Sequence, residues 1–348
     1  VGLDLGRRWA RVGYLEQGEL QLQSMAGSAY IPALVAYDDG RVHVGTKAMG
    51  YLRTDRSKTA WVFDLLRVED SALHAGGDGE NARVKLGGEE IEVDRLLRPF
   101  FGRLLRNTSH PESGRGRAIV LWAHEEERAK ERLVRAMDDG GTEVVRFVTP
   151  LEAAIAAFNL NERKVRRFVL LDVGASHVRV DVALRKDGNL VPVASRHDES
   201  VSARQIDQAI ALLALDQLAN DGTDLREDAA VRRSLLQSVE ALRPDFARLA
   251  NIDLAMKSGG VEHKVRLSRN SAYLAAESVV TEICNVAQDT LRRADMDPRH
   301  TDTLLVVGSA GSYPPLLEAM RNLTQTEAIL GPPPAQVLTL GLARVGLQ

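Results

Sequence analysis

Two stretches of the chain end an apolar run with an aspartate and, two residues on, a glycine: Val1-Gly-Leu-Asp4-Leu-Gly6 and Phe168-Val-Leu-Leu-Asp172-Val-Gly174. Each leads into a segment that alternates in character, Ala10-Arg-Val-Gly-Tyr-Leu15 in the first and His177-Val-Arg-Val-Asp-Val182 in the second. Such a pair of runs reads as a β-hairpin, and Gly174 is expected to take the positive φ that a turn of this kind can require. One aspartate at a turn can simply cap it. Two, each opening one half of the chain, point to an internal duplication of one α/β lobe, with a site built from two facing turns.

The elements that must hold these turns follow from periodicity. In the first half, Glu19–Gln23 and Tyr30–Tyr37 read as strands, with Arg41–Gly45 pairing to the second across Asp38-Asp39-Gly40. Thr46 is expected to cap a short helix. Ala75–Glu80 is a loop, and residues 82–93 form a hairpin with Gly87-Gly88 at its tip. Asp94 is expected to cap a helix over Leu96–Leu105, followed by a polar loop from Asn107 to Gly116. Strand Ala118–Trp122, the charged helix Glu125–Asp138 with apolar Leu133, Val134 and Met137, strand Val144–Val148 and helix Pro150–Phe158 then alternate as in a sheet covered by helices.

In the second half, Leu190–Ser195 is a strand and Ala203–Leu218 a helix. Ala229–Arg248 is a helix with Asp228 at its N-cap and a break at Pro244. Ile252–Met256 and Val261–Leu267 form a hairpin around Ser258-Gly259-Gly260, and Ser271–Ala294 is one long helix. Asp302–Gly311 is a buried strand running into a glycine turn before the helix Pro314–Leu323. After Gly331-Pro-Pro-Pro334 a last helix covers Ala335–Arg344. The lobes are expected at 1–163, with 332–348 packing back on it, and at 164–331, with an inserted helical and hairpin subdomain at about 201–281.

Composition narrows the classes. The 348 residues carry a formal net charge of −3, which argues against a generally basic nucleic-acid binder. No apolar run approaches the roughly 20 residues needed to cross a bilayer. The single cysteine, Cys284, excludes an intrachain disulfide, lies on an apolar helix face and is expected to be unreactive. His43, His74, His110, His124, His197, His263 and His300 show no metal-ligand spacing, so no zinc is assigned. A cytoplasmic protein is expected. The sequence opens on a strand without methionine and reads as an excerpt.

In this order the turns resemble those of the nucleotide-binding domain of the 70-kDa heat-shock (DnaK-type) chaperones, within the actin and sugar-kinase superfamily. Val1–Gly6 is similar to the first phosphate loop, and Tyr30–Tyr37 with Val44-Gly45 to the strands that follow. Val62-Phe63-Asp64 is similar to the segment carrying a catalytic lysine. Pro150–Phe158 stands where the family has Asn-Glu-Pro-Thr-Ala-Ala-Ala, Leu171–Gly174 resembles the second phosphate loop, and Val307-Gly308-Ser309 the adenosine loop. The resemblance implies a two-lobed actin-like ATPase fold with duplicated ribonuclease-H-like lobes. It also implies ATP or ADP with magnesium as ligands, co-chaperones as partners, and a peptide-binding or other domain after the last helix. It implies no nucleic acid and no membrane.

The departures from the family fall on the chemistry. Arg7 and Arg8 replace the two threonines of the first loop, Leu66 takes the lysine position and Pro150 the glutamate position. Ala175, Ser176, His177, Val178 and Arg179 replace Gly-Gly-Thr-Phe-Asp, and Ser312 replaces the adenosine-loop arginine. Asp4, Gly6, Asp172, Gly174, Gly308 and Arg243 match. Glu240, one turn before Arg243, completes the nucleotide-side candidates with Ser309; Glu240 and Arg243 also read as an ordinary surface pair. Asp4 and Asp172 can still position a hydrated magnesium ion, which needs few direct carboxylates. Phosphoryl transfer, however, is mostly positioning and charge neutralisation, and the groups that supply it are replaced.

Arg7, Arg8 or Arg179 could hold phosphate directly. The favoured reading is that they form salt bridges with Asp4 and Asp172 and fill the metal site. The expectation is a chaperone-type ATP/ADP-binding domain with weakened or lost hydrolysis. The alternatives are a nucleotide-independent pseudo-ATPase acting as a protein-interaction scaffold and, further off, a sugar or acetate kinase.

Overall fold

The computed structural model describes residues 1–68, 82–106, 116–123, 126–160, 165–329 and 333–346. The expected loops at 75–80 and 107–115, the start of the proline run at 331–332, Glu125 and the histidines His74, His110 and His124 lie outside the described residues. The chain divides into two compact units, Val1–Asn161 with Leu338–Gln348, and Glu162–Val337.

Unit 1 opens on a meander of β1 (Gly2–Leu5), β2 (Trp9–Glu16) and β3 (Glu19–Leu22). The strand expected over 30–37 is broken into β4 (Ile31–Pro32) and β5 (Leu34–Asp38). The cause is that β4 pairs with β2 while β5 pairs elsewhere, and the intervening Ala33 amide donates to Arg8 O at 2.8 Å. β6 (Arg41–Val44) returns along β5 through Asp39 and Gly40, both at positive φ, which matches the twist of the flanking strands. α1 (Thr46–Thr54) is capped by Gly45 and not by Thr46, which lies inside the first turn.

β7 (Thr59–Trp61) and α2 (Val62–Leu66) follow, then the hairpin β8 (Arg83–Leu86) and β9 (Glu89–Glu92). α3 (Val93–Leu104) starts one residue before Asp94, so Asp94 is not its cap; it sits in the first turn, where a carboxylate favours the helix dipole. β10 (Gly116–Leu121), α4 (Glu127–Asp139), β11 (Thr142–Val148) and α5 (Pro150–Ala157) alternate as predicted. Leu133 and Met137 of α4 face the core, but Val134 is exposed. A capping box between Thr149 and Glu152 fixes the start of α5.

Unit 2 repeats the plan with β12 (Arg167–Val173), β13 (Val178–Lys186) and β14 (Asn189–Asp198). α6 (Ala203–Asn220) and α7 (Ala229–Leu242) follow, the latter capped by the Asp228 side chain and ended by a tight turn at Arg243–Ala247 that begins beside Pro244. β15 (Asn251–Ser258) and β16 (Val261–Ser268) make the expected hairpin. The helix predicted over 271–294 is two, α8 (Arg269–Ala275) and α9 (Glu277–Arg293). Ser268 caps the first, which starts two residues earlier than expected, and Ala276 at φ −95° and ψ 1° turns the chain between them. β17 (Thr303–Val307), α10 (Pro314–Thr324), β18 (Ala328–Ile329) and α11 (Val337–Val345) complete the chain.

The sheet of unit 1 runs β11-β10-β1-β2-β3 and that of unit 2 β18-β17-β12-β13-β14. The two orders correspond strand for strand. In each, an antiparallel hairpin carries the Asp-x-Gly turn, and its first strand lies parallel to a central strand from later in the unit. Each unit has its own apolar core. Gly341 of α11 meets α5 so closely that a Cβ would stand 1.8 Å from Ala153 O, which is why a glycine is needed there.

Candidate functional site

In the first turn the Gly6 amide donates to Trp9 O at 2.9 Å, and the antiparallel register sets Asp4 directly across from Arg11. Facing cross-strand side chains meet on one side of the sheet. Arg11 Nη2 lies 2.9 Å from Asp4 Oδ2, and Thr339 Oγ1 on α11 donates to the same oxygen at 3.4 Å. Asp4 is only 4% exposed. The guanidinium also lies 5.6 Å from the centre of the Tyr30 ring. Arg7, the next cation in sequence, has its Nε 3.7 Å from Asp64 Oδ1.

The second turn has the same frame. The Gly174 amide donates to His177 O at 3.0 Å, and Asp172 stands across from Arg179. Arg179 Nε lies 2.9 Å from both oxygens of Asp181, two residues along the same strand and on the same face. Ser195 Oγ donates to Asp181 Oδ1 at 2.6 Å from the neighbouring strand, so this 6%-exposed carboxylate is held from two sides. Neither Gly6 nor Gly174 has a positive φ. The expectation for Gly174 is therefore corrected: a Cβ there would lie 3.3 Å from the His177 ring, so close packing, not backbone handedness, favours glycine. His177 stacks obliquely on His197 with ring centres 4.6 Å apart, and Ser176 Oγ is 3.4 Å from His177 Nδ1; Ala175 lies beside them at the tip of the turn.

The glycine turn after β17 does require its handedness. Gly308 has φ 87°, and a Cβ on it would stand 2.4 Å from Asp172 Oδ1 and 2.5 Å from Val173 O. The turn is tied down by Arg243, which is 3% exposed. Its Nη2 donates to Ser309 O at 2.7 Å and its Nη1 to Ala203 O at 3.4 Å, and Nη1 also forms an ion pair with Asp207. This replaces the surface pair expected with Glu240, which is exposed while Arg243 turns inward. Burial raises the Asp207 carboxyl to about 6 against the downward pull of Arg243. Ser312 ends the turn, and the adjacent Tyr313, 2% exposed, packs edge-on to Tyr273 at 5.5 Å, its hydroxyl without a hydrogen-bond partner among the described residues.

Two further candidate positions are apolar. Leu66 is buried in the core of unit 1 at the end of α2, where the Arg132 guanidinium donates to the Leu66 carbonyl at 3.1 Å. Pro150 is the first residue of α5, a position that a proline's fixed φ suits. Arg11, Asp181 and Asp207 are contributors that sequence reasoning passes over. For Asp207 the signal is a carboxylate on the apolar stripe of α6 between Ala203 and Ile210. For Arg11 it is the strand register counted back from the turn.

A magnesium ion does not fit at Asp4 as it stands. The oxygen that would carry the ion, directly or through water, already faces a guanidinium at 2.9 Å whose charge repels a second cation. Among the described residues no group of three or more His, Cys, Asp or Glu side chains is arranged to hold a metal.

Two units of one strand order, each with an Asp-x-Gly hairpin and the second with a glycine turn against its aspartate, define the actin-like ATPase class of fold. The family model described as Hsp70 protein matches residues 123–346, well over half of the chain. The chain belongs to the Hsp70 family. The matched part holds Pro150, the second turn and the Gly308 turn, whereas Asp4, Arg11 and Leu66 precede it. Among the described residues no helix is long and apolar enough to cross a membrane.

Proposed function

We propose that this chain is a nucleotide-binding-type domain of an Hsp70-family chaperone in which magnesium-dependent ATP hydrolysis has been lost. The observation that carries the reading is the Arg11–Asp4 ion pair: it neutralises, from within the protein, the carboxylate that the family uses near its metal. The apolar Leu66 and Pro150 at the lysine and glutamate positions support it, because phosphoryl transfer needs charge placed where the transition state develops it. Its role is then regulatory, through co-chaperone or other protein partners, within a longer cytoplasmic protein that adds a peptide-binding or other domain. The test is release of inorganic phosphate from ATP with excess magnesium over a day. Release no faster than in protein-free buffer is expected; sustained turnover that scales with protein concentration overturns the proposal.

A second reading, a nucleotide-independent interaction scaffold, is favoured by Arg243. A cation of the adenosine side is enclosed and spent on Asp207, Ala203 and Ser309. Thermal stability separates the two. A nucleotide at a hundredfold its dissociation constant adds about 2.7 kcal/mol to the folded state, so an upward shift with ATP supports a domain that still binds, and no shift at millimolar ATP supports the scaffold.

A further inference from the structure

Unit 1 has a concavity of about 450 Å³ on the face where the end of α3 meets the end of α4 and the β6–α1 connection. Its walls carry Lys47, Arg98, Arg103 and Arg106, with Asp139 as its one carboxylate. Arg98 and Arg103 lie on α3 and Arg106 just beyond its end, and all three line the hollow around Gly102. The floor is backbone. Gly102 lies against Gly140 so tightly that a Cβ on Gly140 would stand 2.9 Å from Gly102 N.

Among the described residues none of these four cations has a carboxylate within 4.0 Å, Asp139 included. Arg41, Arg53, Arg128 and Arg135 of unit 1 also have no such carboxylate among the described residues; what sets Lys47, Arg98, Arg103 and Arg106 apart is that they line one hollow. A hollow that gathers four positive charges in a chain of net charge −3 runs against the average of the molecule. Like charges held around one space repel, and a ligand with several negative charges relieves that repulsion while meeting guanidinium forks that match phosphate oxygens.

We propose that this concavity is a binding site for a small polyphosphorylated ligand, separate from the Asp-x-Gly turns. The charges converge on one hollow and do not run along a track, and the aromatic ring in its lining, His43, is already stacked on Tyr51 with ring centres 5.0 Å apart, which speaks against a nucleic acid. A volume of about 450 Å³ falls within the range of small-molecule sites.

The test titrates the full chain with inorganic tripolyphosphate in a calorimeter at low and at physiological salt, beside R98Q/R106Q, R98K/R106K and D172N. Saturable binding is expected, weaker at higher salt because exposed charges are screened. R98Q/R106Q should weaken it by about tenfold or more, since a charge-assisted hydrogen bond contributes about 1.5–3 kcal/mol. R98K/R106K should lose less, and D172N should bind as the parent does. The melting curve of each variant establishes that it is folded. The proposal is overturned if the parent does not bind, if folded R98Q/R106Q binds like the parent, if D172N alone abolishes binding, or if a glutamate-rich peptide binds this face more tightly than tripolyphosphate.

Discussion

The two Asp-x-Gly hairpins are the same object built twice, and they dispose of their arginine differently. In both, the register sets an arginine across from the turn aspartate, Arg11 from Asp4 and Arg179 from Asp172. In unit 1 the guanidinium stays on the turn aspartate. In unit 2 its Nε is drawn two residues along its own strand to Asp181. The residue two along from Arg11 is Gly13, where a Cβ would stand 2.7 Å from Thr339 Cγ2 of α11. Helix α11, itself part of unit 1, thus leaves no room for a side chain at position 13 and adds a hydroxyl to Asp4. In unit 2 Ser195 anchors Asp181. One register and two neighbourhoods place a second carboxylate, Asp181, on Arg179 and a hydroxyl, that of Thr339, on Asp4, so the fate of a site cannot be read from its turn alone.

The largest expected effect breaks the first of these pairs. R11M leaves a 4%-exposed carboxylate without its cation and should destabilise unit 1 by about 3 kcal/mol in urea denaturation, whereas D4N/R11M should recover much of that loss. A double variant no more stable than R11M would show that packing, not charge, is the origin of the effect. R179M should cost somewhat less, about 2–3 kcal/mol, because Ser195 still donates to Asp181. If R179M proves the more damaging of the two, the contrast drawn between the hairpins fails.

A third experiment uses pH on unit 2. Asp207 has its folded-state value raised to about 6, above roughly 3.9 in the unfolded chain. Folding therefore takes up a proton between those values. This contribution is complete below about pH 4 and is lost as pH rises through 6, amounting to about 2–3 kcal/mol. D207N should flatten that part of the stability profile, and an unchanged slope would assign it to other groups. The smallest effect is at Tyr313. Y313F removes a buried hydroxyl that has no partner among the described residues and should raise stability by about 1 kcal/mol, read as a higher melting temperature.

Much of the fold was legible because its signals are local. The paired runs around Asp4 and Asp172, the Gly259-Gly260 hairpin, the Asp228 cap and the Pro244 break all show in a few residues of sequence. The errors came where a neighbour in space decides. Thr46 and Asp94 look like caps but fall inside their first turns, and Ala276 divides a helix whose periodicity reads as continuous. The candidate site was legible as a set of substitutions, not as a set of contacts. Arg7 and Arg8 follow the first turn in sequence, yet the cation that the strand register sets on Asp4 is Arg11. Arg243 looked like half of a surface pair because Asp207, its true partner, is 36 residues away.

Magnesium-dependent binding of ATP to the full chain tests most directly whether Asp4 is neutralised by the protein itself. Calorimetric titration with ATP, with and without magnesium, should give either no heat of binding or a weak response that magnesium leaves unchanged. Micromolar binding that requires magnesium would contradict it, because Arg11 would then have to yield Asp4 to the ion.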